Sequence, residues 1–145
     1  MGTTAIGSDH GGFEMKKQLM EHLAKEGYEL KDFGCYTAES CDYPDIAKAV
    51  AKAVAAGECE NGILICGTGI GMAMAAGKVP GIRAALCGDV YSAKLTRSHN
   101  DANILTMGAR VIGPGLAEMI ADTFLSTPFS NEERHVRRLS KLEED

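Results

Sequence analysis

The sequence has no cysteine pair at CxxC spacing, no excess of basic charge and no uncharged run long enough for a membrane span. Its five cysteines, at 35, 41, 59, 66 and 87, are an odd set. Neither a disulfide framework nor a zinc ribbon follows, and a reducing cytoplasm is the expected compartment. Fifteen Lys plus Arg against 20 Asp plus Glu give a formal charge of -5. That balance argues against nucleic acid or an anionic membrane as a partner, so any anion site has to be local. The longest uncharged stretch, 61–77, carries five glycines and is shorter than the ~20 residues a span requires. The opening MGTTAIGSDHGG lacks the basic segment and long apolar run of a secretory signal, and no export is expected. Histidines at 10, 22, 99 and 135 are scattered without ligand spacing, so no metal site is expected. His22, among Glu21, Lys25 and Glu26, reads as exposed surface with no role.

The 145 residues are 45% hydrophobic and 24% charged, ordinary globular values that exclude disorder, fibre and collagen. Residues 1–145 are expected to form a single domain. Short apolar runs alternate with segments of helical period, and glycine stands at most junctions. This is the pattern of a parallel sheet wound by helices. Strands are expected at 3–7, 28–33, 63–66, 82–87 and 103–107. Helices are expected at 13–26, from Pro44 to just before Gly57, at 72–78, at 90–97, around 116–124 and at 131–143. The fold class is therefore α/β, with a five-stranded parallel sheet and an extra C-terminal helix carrying only Val136, Leu139 and Leu142 as apolar anchors.

In such sheets ligands bind at the carboxyl ends of strands, where free backbone N–H groups point outward. There the sequence places Ser8, Asp9 and His10, then Cys66 to Gly71, then Gly88 and Asp89. GTGIG at 67–71 offers three glycines for close approach of an oxyanion, and Thr68 adds a hydroxyl. Met72 replaces the third glycine of a dinucleotide fingerprint, and no Gly-Lys-Ser/Thr completes a phosphate loop. The loop reads as an anion or enolate cradle or as a tight turn. Cys66 stands just before it, where N–H dipoles favour thiolate, and reads either as a base or as a small core residue like Cys59 and Cys87. Asp9 with His10, and His99 with Asn100, read as acid/base groups or as helix caps. Arg134, Arg138 and Lys141 share one helix face with His135 and Arg137 beside it, either a phosphate clamp or a solvated face paired with Glu132, Glu133 and Glu143.

Seven segments together resemble a known family: SDHGGF at 8–13, DYPDIA at 42–47, GILICGTGIGM at 62–72, GIRAAL at 81–86, SHNDAN at 98–103, GARVIG at 108–113 and ERHVRR at 133–138. They are similar, in order and over nearly the whole chain, to type B ribose-5-phosphate isomerases, of the family that also holds galactose-6-phosphate isomerase subunits. The resemblance implies a three-layer α/β/α Rossmann-like fold and a cofactor-independent aldose–ketose isomerase. It also implies a homodimer with shared active sites, and leaves open whether dimers pair into tetramers. Cys66 matches the base that shuttles a proton between C2 and C1; a glutamate branch would carry its base at the position of Met72. Thr68 and the N–H groups of Gly67, Gly69, Ile70 and Gly71 would hold the cis-enediolate. His99 with Asp9 would open the ring, and Asn100 and Tyr43 would contact the sugar. Arg134, Arg138 and His10 would hold phosphate, with Arg110 a further match. His99, Asn100 and Arg110 would come from the neighbouring subunit. Cys35 and Cys41 receive no role.

The expected substrate is ribose 5-phosphate, interconverted with ribulose 5-phosphate. The alternatives are a six-carbon sugar phosphate such as allose or galactose 6-phosphate, a non-catalytic sugar-phosphate-binding module, and an inactive subunit of a hetero-oligomer.

Overall fold

A computed structural model describes residues 2–144. Five parallel strands form one sheet: β1 (Thr4–Ser8), β2 (Leu30–Asp32), β3 (Asn61–Cys66), β4 (Ala84–Leu86) and β5 (Ile104–Gly108), in the order β2-β1-β3-β5-β4. Six helices connect and flank them: α1 (Phe13–Lys25), α2 (Tyr43–Ala55), α3 (Ile70–Ala76), α4 (Val90–Ser98), α5 (Pro114–Ser126) and α6 (Glu133–Leu142). A short 3-10 turn, His10–Gly12, joins β1 to α1.

Strand periodicity divides the core in two. Ile6, Ile63, Ile65, Leu105 and Met107 pack with α1, α4 and α5, through Leu19, Leu23, Ala93, Ile120 and Phe124 among others. Ala5, Leu64, Cys66 and Ile104 face the opposite way, onto α2 and α3, through Val50, Val54 and Met72. Both faces of the sheet are therefore covered, which is why its central strands read as unbroken apolar runs.

Within this order the chain leaves β1 toward one edge and β3 toward the other. The loops after these neighbouring strands diverge above the sheet, and the crevice between them is the usual ligand position in an open α/β sheet. Ser8 is in register with Ile65, so the segments beginning at Asp9 and Gly67 emerge side by side.

The expected elements are all present, with shifted ends. β2 and β4 shrink to three residues each because they are edge strands, paired on one side only. α3 starts at Ile70 rather than 72, directly after the left-handed Gly69. α6 starts at Glu133 rather than 131, since Asn131 has φ 58° and Glu132 is extended. His22 departs most from expectation. It is half-buried between α1 and α5, its ring nitrogens against Glu26, Glu118 and Asp122. The hydrogen bond to Asp122 holds its imidazole above the ordinary histidine range. Helical spacing cannot reveal a partner 100 residues away.

Candidate active site

Cys66 is the last residue of β3 and is buried against α2 and α3. Its Sγ accepts the Gly69 N–H at 3.1 Å, a bond that strengthens when the sulfur carries charge. The turn above it exists because Gly69 adopts φ 83°, a left-handed conformation that costs a residue with a Cβ energy. A Cβ at Gly69 would also lie 2.8 Å from the carbonyl carbon of Met107. Thr106 Oγ1, buried in β5, donates to the Gly69 carbonyl at 2.8 Å and fixes the turn from below. Thr68 is exposed at its crest, and its Oγ1 accepts the Ile70 N–H at 3.2 Å, leaving the hydroxyl proton free to donate.

Around this turn stand the residues of the β1 side. Asp9 caps the turn His10–Gly12 by accepting the Gly12 N–H on Oδ1 at 3.1 Å. The capping reading of Asp9 is thus correct as far as one oxygen goes; Oδ2 has no hydrogen-bond partner among the described residues. His10 is exposed and receives the Cys41 N–H on Nδ1 at 3.3 Å, which leaves Nε2 as the donor. The Tyr43 ring packs on Gly71 so closely that a Cβ there would stand 2.6 Å from its Cε1. Arg110 joins this group: its N–H donates to the Gly67 carbonyl at 3.0 Å, and a Cβ on Gly67 would stand 3.5 Å from its Cδ and one on Gly11 3.9 Å from its Nη2. The resemblance grouped Arg110 with His99 and Asn100; within one chain it stands with the Cys66 turn instead.

A second group occupies a different part of the surface. His99, the C-cap of α4, stacks on His135 with ring centroids 4.1 Å apart. His99, Asn100, His135, Arg138, Leu139 and Leu142 line a cleft of about 330 Å³, within the range of small-ligand sites. Arg134 and Arg137 pair with Glu132 and Glu133, as the solvated-face reading anticipated. Glu143 instead reaches Arg83, and Arg138 has no acidic partner among the described residues. His135, flanking in sequence, is buried; desolvation first and the neighbouring His99 second push its imidazole below the usual range.

Four residues that support these groups carried no readable signal. Thr106 is one. Arg83 and Arg97 hold the segment after α4: Arg83 Nε donates to the Asn100 carbonyl at 2.9 Å, and Arg97 Nη1 to Asp101 Oδ1 at 2.9 Å and to the Ala102 carbonyl at 2.7 Å. Lys16, fully buried, donates to Asp32 Oδ1 at 2.7 Å and to the Cys35 carbonyl at 2.6 Å, tying down the loop that leads to Cys41. Cys41 itself is pushed up to about 11 by burial and the Cys35 thiol. Cys59 and Cys87 are core residues, as expected, and burial pushes Cys87 up to about 11.

No hydrogen bond, ion pair or ring contact among the described residues joins the Cys66 group to the His99 group. No helix among the described residues is long and apolar enough to cross a membrane.

A family profile described as Ribose/Galactose Isomerase matches residues 4–142. The chain belongs to that family. It is 47% identical over 138 residues to ribose-5-phosphate isomerase B of Escherichia coli, covering 95% of this chain and 92% of that one. It is 51% identical over 126 residues to ribose-5-P isomerase B of Listeria innocua, covering 87% and 85%. Among solved structures, ribose-5-phosphate isomerase B of Clostridium thermocellum superposes with a TM-score of 0.95 at 52% identity, over 97% of this chain and 95% of that one. The Rossmann-like α/β/α architecture is therefore that of its family, and the protein is an isomerase.

Proposed function

We propose that the protein interconverts ribose 5-phosphate and ribulose 5-phosphate through a cis-enediolate, in the cytoplasm, with no cofactor. The observation that carries this reading is the Cys66 thiol beneath a turn whose Gly69 N–H points at sulfur. Relatives near 50% identity carry this activity in their names.

In this reading Asp9 and His99 assist ring opening by moving the proton between the ring oxygen and the C1 hydroxyl. Cys66, as thiolate, takes the proton from C2; the two electrons of that C–H bond form the C1–C2 double bond, and the C1 carbonyl oxygen becomes an enediolate oxygen. Thr68 and the N–H groups of Gly67 to Gly71 stabilise that oxygen and help pass a proton between O1 and O2. Return of the Cys66 proton to C1 restores the thiolate and leaves a ketone at C2. Tyr43 and Asn100 contact the sugar; His10, Arg134 and Arg138 hold phosphate, and Arg110 adds a cation beside the glycine turn.

Two copies are needed. Within one chain the Cys66 group lies apart from His99, Asn100 and Arg138, so the site is complete when the partner's His99, Asn100 and Arg138 reach over the turn. Ile70 and Met74 on α3 are exposed apolar side chains close in sequence to that turn, Val111 is exposed next to Arg110, and they suit burial in such a pairing.

Turnover of ribose 5-phosphate compared with allose and galactose 6-phosphates tests the substrate. A higher kcat/KM on the five-carbon sugar is expected; a preference for a six-carbon phosphate would overturn it.

A further inference from the structure

At the seam between α1 and α5, on the side chains that face solvent, one imidazole is surrounded by carboxylates. His22 Nε2 lies 2.9 Å from Asp122 Oδ2 and contacts Glu26 Oε1, while Nδ1 lies 3.2 Å from Glu118 Oε1. Ligand atoms of His22, Glu26 and Asp122 all fall within 4.8 Å of one another. The three carboxylates have no Lys or Arg partner among the described residues; His22 is the one cation candidate they meet. Even a protonated imidazole leaves this cluster with two uncompensated negative charges.

We propose that His22, Glu26 and Asp122 form a site for one divalent first-row transition ion, with zinc the best match. One imidazole nitrogen and two carboxylate oxygens are an ordinary zinc donor set, completed by water. The i, i+4 spacing of His22 and Glu26 puts two donors on one face of α1, and Asp122 adds the third from α5. Bonds of ~2.0–2.1 Å to a tetrahedral ion separate its donors by roughly 3.3 Å, which small rotations of these partly exposed side chains reach. Glu118 supplies what a bare cluster would lack. Its Oε1 lies 3.2 Å from Nδ1, near enough to take the Nδ1 proton when Nε2 exchanges its hydrogen bond to Asp122 for the ion, the carboxylate–histidine–metal arrangement.

The site is remote from the isomerase chemistry. His22 lies nine residues into α1, on the order of 13 Å down the helix from its start beside Asp9. An ion there pins α1 to α5, whose apolar faces already share Leu19, Leu23, Ile120 and Phe124.

Titration of the metal-stripped full-length protein with Co²⁺ and then Zn²⁺ tests the proposal. One equivalent of Co²⁺ should give visible d–d bands without a thiolate charge-transfer band. Zn²⁺ should displace it and raise the Tm, and His22→Ala should abolish both responses while sugar-phosphate turnover stays at the parent level. Glu118→Gln removes no ligand and should weaken binding by about 10- to 100-fold, which separates orientation of His22 from loss of the fold. The proposal is overturned if His22→Ala binds as tightly as the parent, if the cobalt spectrum carries sulfur charge transfer, or if one equivalent of metal leaves spectrum and Tm unchanged.

Discussion

Thr106 carries one hydrogen bond on which the glycine turn of the candidate site depends. Its buried hydroxyl holds the Gly69 carbonyl, and Gly69 in turn presents its N–H to Cys66. Thr106→Val keeps the shape and removes the donor, leaving a buried carbonyl unpaired at about 1–3 kcal/mol. Denaturant melts should register that loss, and kcat should fall ~10-fold or more with KM little changed, because a slightly misplaced base is enough. Unchanged kcat would mean the turn holds itself. Ser8 predicts the opposite sign: its Oγ is buried with no partner among the described residues, so Ser8→Ala should leave the Tm equal or higher. At this scale the sequence was legible wherever chemistry announces itself by residue type. Cys66, Asp9 and His10 could be singled out as candidates because they stand at or just past strand ends. Thr106, Lys16 and Arg83 act through contacts with carbonyls distant in sequence, as Arg97 does through the Thr127 carbonyl at 3.0 Å, and no local pattern marks them.

The attachment of α6 rests on a group that titrates. It buries a single side chain, His135, which stacks on His99 and hydrogen-bonds Ser130 Oγ at 2.8 Å. Burial and cationic neighbours depress the folded pKa of His135 below its unfolded value near ~6.5. The unfolded chain therefore binds the proton more readily, so this contribution is present above pH ~6.5 and is lost as pH falls below it. The Tm of the parent should drop on acidification through this window, and the drop should shrink in His135→Leu; equal pH slopes would refute the assignment. Periodicity revealed α6 and its basic face, but a helix with three apolar residues gave no sign that a histidine would be the buried anchor. The edge strands show the same limit. Tyr28 to Phe33 reads as one strand, yet the regular ladder of β2 covers Leu30–Asp32 while backbone bonds to β1 run on from Glu29 to Cys35, because pairing depends on a neighbour that the segment itself does not specify.

At the scale of the molecule, the alternation of apolar runs and helical periods specified a parallel α/β sheet, and the sheet order then decided which loops meet at the candidate site. Order β2-β1-β3-β5-β4 places the turns after β1 and β3 side by side, which neither turn could indicate alone. It also leaves His99 and Arg138 away from Cys66, so activity should belong to a pair of chains. Mixing inactive Cys66→Ala with inactive His99→Asn, after dissociation and reassociation, should restore roughly a quarter of parental turnover, since half the dimers are mixed and each has one intact site. No recovery, with mixed dimers demonstrated, would place both residues in one chain's site. The central claim is that Cys66 moves the proton between C2 and C1. It is tested most directly by following ribose 5-phosphate in D₂O with the parent and Cys66→Ala, reading both turnover and deuterium at C1 and C2. Loss of turnover and carbon exchange by ~10²- to 10⁴-fold, with phosphate-ligand affinity retained, is the predicted result; exchange and turnover within a few-fold of the parent would contradict it.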